Sequence, residues 1–309
     1  MEKQNKSVVY VPPFLMPGVP GVTFGGFAAS RYPCADSNKL FYWGKSLPEA
    51  MVLAADRGKG WHLITAFEWA AGAYLWKQAT TLDDCVFNLY SFIWQWNMGL
   101  FMHHDGHVDI LADLDVTYTG SPYGRGTVRG SAGAAPELVL DGEGINWLKR
   151  WKTADYAETR VYIAEADGGS GAFYNVASNT PTTIILAAGS SPGNGTATFV
   201  IVRHVPTDIT AGMESGNFIN SLRDSDFDLA PLAIPASSSS RENTSLGGDS
   251  FWFCKAKTPR AAVRGGHFST GAAAGVFALD LLSAPSYSGY SVGFRACKAL
   301  ESDTLEACI

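Results

Sequence analysis

Charge is scarce in this sequence, and no stretch of it is strongly basic. Charged residues make up only 17% of the 309 residues, and the formal net charge is -6. Proteins that bind nucleic acid through phosphate contacts normally carry a basic patch. The composition therefore argues against a general nucleic-acid binder.

Long apolar runs and paired cysteines are also missing. No run of about 18 apolar residues occurs, so no transmembrane helix is predicted. An apolar segment of the kind that Sec export requires does not follow the N-terminal lysines, because prolines interrupt the chain at Pro12, Pro13, Pro17 and Pro20. The cysteines are widely spread without C-x-x-C spacing, which predicts reduced thiols and leaves a disulfide open: Cys34, Cys85, Cys254, Cys297 and Cys308.

Apolar, aromatic and turn-forming residues are abundant instead. The sequence is 46% hydrophobic and contains nine tryptophans, 33 glycines and 15 prolines. This composition predicts a packed core with short strands and many loops. We interpret the chain as one α+β domain over residues 23–309, preceded by an extended N-terminal arm over residues 1–22, where the proline spacing disfavours both a helix and a central strand.

Two helices have clear start signals. A capping box, in which Ser or Thr precedes Glu by three residues, occurs at residues 46–49 and again at residues 65–68. The first helix is predicted to run to about residue 57, before Gly58, and the second to about residue 77.

The middle of the chain predicts strands. Residues 182–187 and 196–203 are β-branched runs separated by a Gly/Ser turn, which predicts a hairpin inside a β insertion at about residues 165–215. Residues 107–118 also read as a strand, followed by Gly/Arg turns up to Gly130 and a hairpin partner around residues 138–140.

Two further segments are less regular. Residues 83–101 are apolar and aromatic, and both a helix and a buried loop fit them. Residues 236–248 contain four consecutive serines and predict a flexible connection into an aromatic strand at residues 249–253.

The C-terminal region predicts a framework with an exposed loop. Phe277, Leu279 and Leu281 alternate with residues of the opposite face, which predicts a strand with one buried face. A Ser/Gly/Tyr-rich loop follows, and a short closing strand is predicted at residues 292–296.

Short motifs in this region resemble those of a known family. They are R-G-G at 264–266, A-G-V-F at 274–277, A-P-S at 284–286 and V-G-F-R at 292–295, together with G-x-G-W-x-L-x-T-x-x-E-W at 58–69. These motifs resemble the variable proteins of diversity-generating retroelements. The resemblance implies a C-type lectin fold, related to the formylglycine-generating enzyme, in which two helices flank a mostly antiparallel sheet.

The resemblance also implies a variable region at residues 262–298. In this family a reverse transcriptase copies a template repeat with errors at adenines, so that only certain codons diversify. The positions that would vary, and would form the ligand-binding surface, are His267, Phe268, Ser269, Thr270, Ala273, Asp280, Leu282, Ser283, Tyr287, Gly289, Tyr290 and Ser291.

The residue types at these positions suit recognition. Tyr287 and Tyr290 offer large contact areas with few rotamers to immobilise, and neighbouring Ser and Gly adapt their hydrogen bonds, as in antibody paratopes. With Phe268, these tyrosines would be the aromatic anchors. The expected protein is a binding protein without enzymatic activity or cofactor, displayed on a virion or cell, whose partner is an unidentified protein or surface ligand on a host or neighbouring cell. Display in several copies, including a homo-oligomer, would raise avidity.

Two alternatives stay open at this stage. The related enzymes oxidise a peptide cysteine with a pair of cysteines and copper, and Cys297 and Cys308 lie near the corresponding end of this chain. A purely structural subunit of a virion is the second alternative. A location other than the virion surface, in the cytoplasm or on a cell surface by a non-Sec route, is open as well.

No metal site is predicted, although two groups leave the question open. His103, His104 and His107 are potential ligands, but Gly106 disfavours the helix that would align them, so a polar loop is the expected structure. Asp224, Asp226 and Asp228 begin like a calcium loop, yet Leu229 and Pro235 occupy the positions where an EF-hand needs Gly and Glu. The calcium-binding triplets of carbohydrate-binding lectins are absent from the sequence as well.

One apparent catalytic motif is expected to be a turn. Residues 189–193 match G-x-S-x-G, but a nucleophile elbow lies between a strand and a helix, whereas strand-like runs flank this motif on both sides.

Overall fold

The computed structural model describes thirteen segments of the chain, and the statements that follow concern these residues: 8–11, 14–15, 23–24, 26–30, 32–35, 42–78, 94–112, 123–130, 134–141, 159–164, 171–180, 182–226 and 228–299. Two α-helices lie within them, α1 (Leu47–Ala55) and α2 (Ala66–Gln78). None of the described helices is long and apolar enough to cross a membrane.

Both helices begin at the predicted capping boxes. The Ser46 hydroxyl accepts a hydrogen bond from the Glu49 N–H, and the Glu49 carboxylate accepts one from the Ser46 N–H at 2.8 Å. Thr65 and Glu68 make the same reciprocal pair before α2, with 2.9 Å between the Thr65 nitrogen and the Glu68 carboxylate. Both predicted helices are confirmed. The capping side chains satisfy backbone donors that a helix start leaves unpaired.

A small sheet joins the two ends of the chain. Its strand order is β1 (Val8–Val11), β4 (Phe27–Ser30), β20 (Ala296–Ala299) and β5 (Trp61–Leu63). A separate strand pair is formed by β2 (Phe14–Leu15) and β3 (Thr23–Phe24). Val8–Val11 is extended and pairs within the chain, so this part of the predicted N-terminal arm belongs to the folded protein.

Six strands in the middle of the chain close into a barrel. They are β8 (Tyr123–Arg129), β9 (Glu137–Leu140), β10 (Thr159–Ala164), β11 (Ala172–Asn179), β12 (Thr183–Leu186) and β13 (Gly195–Val205). The order β10-β11-β12-β9-β8-β13 is closed by the pairing of β10 with β13. Leu138, Ile163 and Phe199 are among the apolar side chains that fill its core.

Strand β13 continues the barrel into an open sheet. The order from β13 onward is β7 (Val108–Leu111), β6 (Trp94–Met102), β17 (Arg260–Arg264), β18 (Leu279–Leu281), β16 (Ser250–Phe253), β14 (Asn217–Leu222) and β15 (Pro235–Ser239), and β19 (Val292–Phe294) pairs in parallel with β6. Short 3-10 helices occupy Ala230–Leu232, Thr244–Leu246 and Phe268–Ala273. The described residues are thus mostly β with two helices, which is compatible with the mixed α+β class.

The helices contribute to two separate parts of the core. Leu47 and Met51 of α1 belong to the cluster that contains Trp96 and Phe294. Trp69 of α2 belongs to another cluster, together with the C-terminal framework strands. Each helix therefore packs an apolar side against the residues that hold the C-terminal region.

The predicted hairpin between residues 182–187 and 196–203 is wrong. Both runs form strands, β12 and β13, but they do not pair with each other. In the barrel β9 and β8 lie between them, and the Gly/Ser segment only connects them. Closure of the barrel requires a partner on both edges of each strand, and local β propensity does not identify those partners.

Two segments with ambiguous sequence are strands in the structure. Trp94–Met102 is neither a helix nor a loop but the long strand β6, whereas residues 79–93 lie outside the described part. The Gly/Arg segment before Gly130 is strand β8, which pairs with β9, rather than a series of turns. A strand that is covered on both faces shows no alternation, which explains why β6 was not recognised.

Two other expectations need correction. Pro235–Ser239 is a paired strand, so the serine-rich segment is not a flexible connection along its whole length. Residues 276–281 are all buried, so the expected strand with a single buried face is wrong. Strand β18 lies between β17 and β16 and is packed on both faces.

Candidate ligand-binding face

A buried arginine holds the start of the predicted variable region. Arg264 ends strand β17, and its guanidinium is fully buried. It donates hydrogen bonds to the backbone oxygens of Phe277, at 3.2 Å, and Leu232, at 2.6 Å. Burial lowers the pKa of Arg264 to about 10, while Tyr74 and Asp249 favour its charged form. Arg264 therefore connects two backbone segments of the core next to the predicted ligand-binding positions.

Asp249, directly before strand β16, supports the same framework. Its Oδ2 accepts a hydrogen bond from the Phe277 N–H at 2.6 Å, and the residue has no exposed surface. Burial raises the pKa of Asp249 to about 7, against the opposing effect of backbone N–H donors and of Arg264. A Cβ on Gly275 would overlap the Asp249 carboxylate, so the glycine makes room for this contact. Sequence reasoning missed Asp249; the signal was an acidic residue at the start of a buried aromatic strand.

A second buried arginine holds the end of the region. Arg295 donates a hydrogen bond to the Ser30 oxygen at 3.3 Å, and its guanidinium lies 6.0 Å from the centre of the Trp69 ring. The Arg295 oxygen accepts a hydrogen bond from the Ile64 N–H at 2.9 Å. Burial lowers the pKa of Arg295 to about 10. The family-like motifs at both ends of the region are therefore anchored by buried guanidinium groups.

Most of the predicted variable positions lie at the surface. Tyr290 is 84% exposed, Tyr287 44% and Leu282 40%. Ser269 is exposed too, and the half-buried positions are His267, Thr270, Ala273, Ser283, Gly289 and Ser291. Phe268 opens the 3-10 helix Phe268–Ala273, but its side chain lies outside the description.

Asp280 is the exception and does not belong to this surface. It is 3% exposed and sits in the middle strand β18, opposite Val263 on one side and Trp252 on the other. Its Oδ1 accepts a hydrogen bond from the Leu282 N–H at 2.7 Å, and burial raises its pKa to about 6. A side chain in this position cannot reach a ligand, because sheet neighbours surround it.

Two of the predicted positions, His267 and Ser291, lie beside Trp94. The Trp94 backbone N–H donates a hydrogen bond to the Ser291 oxygen at 3.0 Å, and the Trp94 ring centre lies 5.7 Å from that of His267. The Tyr290 ring lies beside Gly44, 3.7 Å from the position that a Cβ there would occupy. Tyr290, Ser291 and His267 thus belong to one end of the open sheet.

Leu282 and Ser283 lie at the other end of strand β17. The Leu282 oxygen accepts a hydrogen bond from the Arg260 guanidinium at 2.7 Å, and the Ser283 oxygen accepts one from the Ala261 N–H at 3.0 Å. The loop that follows crosses the N-terminus of α1, where the Leu47 N–H donates to the Pro285 oxygen at 2.9 Å. The predicted positions from Leu282 to Ser291 therefore extend along this loop.

Trp43 extends this face, and sequence reasoning missed it. It is 49% exposed and directly precedes Gly44, the neighbour of Tyr290. The available signal was an aromatic run, Phe41 to Trp43, shortly before a helix cap. The position of Trp43 adds a large exposed aromatic side chain next to Gly44, which Tyr290 contacts.

Three of the predicted positions are bonded to one another. The His267 Nδ1 lies 2.8 Å from the Ser269 hydroxyl, and the Thr270 hydroxyl donates to the His267 oxygen at 2.5 Å. These bonds form a cap at the start of the 3-10 helix. Substitutions at these positions would therefore alter this local cap, which lies outside the buried core.

Histidine and aspartate residues form one compact group in the described part of the chain. His103, Asp109 and His204 place one potential metal-binding atom each within 4.8 Å of the others. His107 instead pairs with Asp105, at 3.2 Å, and His104 is exposed. Asp109 lies on the strand that follows His103, but the sequence could not indicate His204, because the fold brings it from the distant strand β13.

The aspartates at 224–228 have structural contacts. The Asp226 carboxylate accepts hydrogen bonds from the N–H groups of Asp228, at 3.0 Å, and Leu229, at 3.1 Å. Asp228 forms an ion pair with Arg203 at 2.6 Å. The carboxylates of Asp226 and Asp228 therefore have structural partners within the chain.

The described cysteines are free thiols. Cys34 and Cys297 are buried and Cys254 is exposed, while Cys85 and Cys308 lie outside the description. Burial raises the pKa of Cys297 well above its usual value, and Glu68 and Cys34 act in the same direction. Cys297 is therefore held as a thiol and not as the reactive thiolate.

Comparison with known proteins does not identify a family. No protein-family model matches the chain, and no curated protein matches its sequence.

Proposed function

We propose that this protein is a hypervariable ligand-binding protein that a retroelement diversifies, and that it has no enzymatic activity. One observation carries the proposal: residues of the family-like motifs such as Arg264, Phe277 and Arg295 are buried, whereas the described side chains at the predicted variable positions, except Asp280, reach the surface. Side chains that the fold requires are thus buried, whereas the side chains proposed to vary lie at the surface.

The energetics of such a face favour variation. Substitutions at exposed positions without special contacts usually alter the free energy of unfolding by about 0.5 kcal/mol or less. The buried framework contains Phe277 and Phe294, each at most 1% exposed, whereas Tyr290 is 84% exposed. Many sequences at the face are therefore compatible with one fold.

Binding would centre on a few aromatic side chains. Tyr287 and Tyr290 would be the anchors, with Trp43 as a constant neighbour, surrounded by contacts of small individual energy. The partner would be a protein or surface ligand on a host or neighbouring cell. A single face of this kind binds weakly, so display in several copies on a virion surface, or on a cell, would raise the avidity.

A C-type lectin fold is part of this proposal. Two capped helices beside a mostly antiparallel sheet support it, and so does the position of the family-like motifs in the strands and turns at the centre of the sheet. The six-stranded barrel would be an addition to that fold, and it draws on residues from Tyr123 to Val205. This range begins earlier than the predicted insertion at 165–215.

The oxidase alternative has less support. A copper-dependent thiol chemistry needs accessible cysteines that ionise, and Cys297 is buried with a raised pKa. Replacement of Cys297 by Ser should leave binding to a ligand unchanged, whereas an oxidase would lose its activity. A purely structural subunit would differ in another way, since alanine at Tyr287 and Tyr290 would leave attachment to a host unaffected.

The DNA around the coding region tests the proposal in a single genome. A retroelement origin predicts a nearby second copy of codons 262–298 that differs mainly where the copy has adenine, together with a reverse-transcriptase reading frame. The proposal fails if the flanking DNA contains neither. Differences spread evenly over the codons of Arg264, Phe277 and Tyr290 would also contradict it, because the structure requires the first two side chains.

A further inference from the structure

A group of three side chains outside the ligand-binding face has the composition of a metal site. His103 follows strand β6, Asp109 lies in β7 and His204 lies in β13. The His103 Nε2 is 3.0 Å from the Asp109 Oδ2, and the His204 Nδ1 is 2.9 Å from the Asp109 Oδ1. Strand pairing fixes part of this geometry, because Asp109 and His204 are direct cross-strand neighbours.

Two atoms of this group lack hydrogen bonds. The Asp109 side chain is completely buried, yet its Oδ2 has no hydrogen-bond partner among the described residues, and the same holds for the buried His103 Nε2. The two atoms lie 3.0 Å apart, and they form an ion pair when His103 is protonated. Buried polar atoms without a well-formed hydrogen bond are costly, and an ion or water can complete such a site.

The distances suit a first-row transition metal. A metal that binds nitrogen and oxygen at about 2.1 Å holds neighbouring donor atoms about 3.0 to 3.4 Å apart, depending on its geometry. The distance of 3.0 Å from His103 to the Asp109 Oδ2 is at the lower limit of this range, and the 2.9 Å from His204 to the Asp109 Oδ1 is just below it, so a small shift of either imidazole would admit an ion. Two imidazoles and one carboxylate favour zinc, iron or nickel over magnesium and calcium, which prefer oxygen ligands.

Solvent access to the two histidines and the positive charge of Arg160 both affect metal binding at this group. The His103 side chain is 15% exposed and that of His204 27%, so an ion could enter from solvent and keep water ligands. The Arg160 guanidinium lies 3.6 Å from the Asp109 Oδ2, with the Arg160 side chain 36% exposed. The Arg160 side chain is half-buried and ends at the surface, so it would compete with a metal ion and could turn toward solvent when the ion binds.

We propose that His103, Asp109 and His204 form a binding site for a divalent transition metal such as Zn²⁺. The ion would connect the turn between β6 and β7 to strand β13, and so fasten the six-stranded barrel to the open sheet. This role is structural and does not depend on the proposed ligand-binding function. The coordination leaves positions for water, which would complete the ligand set.

Metal titration of the full chain tests the proposal. The protein is prepared without a histidine tag, treated with EDTA and titrated with Zn²⁺ by calorimetry and with Co²⁺ by visible absorption. We expect one equivalent of metal per chain. His103→Ala and His204→Ala should each weaken binding by at least about 100-fold, more than loss of a supporting residue costs. His104→Ala is the matched control and should bind as the unchanged protein does.

Two further results decide the interpretation. Arg160→Gln should bind metal several-fold more tightly, because it removes the competing cation. Zn²⁺ should raise the midpoint of thermal unfolding of the unchanged protein but not of His204→Gln, a variant that keeps a polar side chain. The proposal is overturned if the unchanged protein shows no saturable binding of one equivalent, or if His104→Ala weakens binding as much as His103→Ala does.

Discussion

The buried carboxylate of Asp249 accepts a hydrogen bond from the backbone N–H of Phe277, with 2.6 Å between oxygen and nitrogen. Phe277 ends the A-G-V-F motif, and its own oxygen accepts a hydrogen bond from Arg264. Both backbone groups of one core residue are thus held by buried ionisable side chains. This arrangement fixes the path of the chain between two groups of exposed, variable positions.

The contact predicts different effects for two substitutions of Asp249. Asp249→Ala leaves the Phe277 N–H without an acceptor in the core, and we expect a loss of about 1–3 kcal/mol in the free energy of unfolding. Asp249→Asn keeps an acceptor of the same shape and should cost less. Urea denaturation of both variants measures the difference, and equal losses would show that the hydrogen bond contributes nothing.

The same residue predicts a pH dependence of stability. Burial raises the pKa of Asp249 to about 7, above the value of about 3.9 in an unfolded chain. Between these values the native state holds a proton that the unfolded state has released, so the stability contributed by this group is greatest at low pH and falls as the pH rises to about 7. The change amounts to at most about 4 kcal/mol.

Denaturation at two pH values isolates this effect. Asp249→Asn cannot release the proton, so its stability relative to the unchanged protein should rise between about pH 4.5 and pH 7.5. Contributions of other groups, including Asp280 with its raised pKa of about 6, cancel in this comparison. A relative stability that is equal at both pH values would contradict the prediction.

Because Arg264 donates to two separate backbone oxygens, we predict that lysine cannot replace it. Lysine has one compact ammonium group and cannot reach two separate carbonyl oxygens as the fork of arginine does. We expect Arg264→Lys to lower the free energy of unfolding by about 1–3 kcal/mol. Arg241→Lys is the control, since Arg241 is exposed and its side chain should contribute little. Equal stability of the two variants would exclude a framework role for Arg264.

The face and the framework should respond differently to alanine. Tyr290→Ala removes a ring that is 84% exposed and should change the free energy of unfolding by about 0.5 kcal/mol or less. Phe294→Ala removes a ring that is 1% exposed and should cost about 3–5 kcal/mol. Thermal or urea unfolding compares them, and a large loss from Tyr290→Ala would mean that this tyrosine is structural.

Two of the variable positions are predicted to be coupled. A Cβ at Gly289 would overlap the ring of Tyr287, so Gly289→Ala must displace that ring. In a Tyr287→Ala background the same substitution meets no obstacle. A double-mutant cycle should therefore give a coupling of about 0.5–1 kcal/mol. Additive effects would show that the ring moves aside without cost.

Local signals in the sequence predicted local structure well. The capping boxes at Ser46 and Thr65 located both helices, because a cap depends on residues three positions apart. Strand partners depend on distant parts of the chain, so β12 and β13 were wrongly paired with each other. In the closed barrel β9 and β8 lie between them, and no local pattern in either segment indicates this.

For the ligand-binding positions too, local features could be predicted from the sequence, but contacts between distant segments could not. The exposure of Tyr287 and Tyr290 follows from a loop rich in Ser and Gly, whereas the burial of Asp280 depends on the strands beside it. Asp249 could not be placed under Phe277 from sequence, since 28 residues separate them. The histidine and aspartate group was hidden for the same reason, because His204 lies 95 residues after Asp109.

Sequencing of codons 262–298 in many members of a natural population tests the central claim most directly. The account predicts amino-acid changes concentrated at the exposed positions, Tyr287 and Tyr290 among them, with Arg264, Phe277 and Phe294 unchanged. The burial of Asp280 predicts, in addition, that this position varies less than its exposed neighbours. Codons that are uniform throughout, or that change only silently, would contradict a hypervariable binding face.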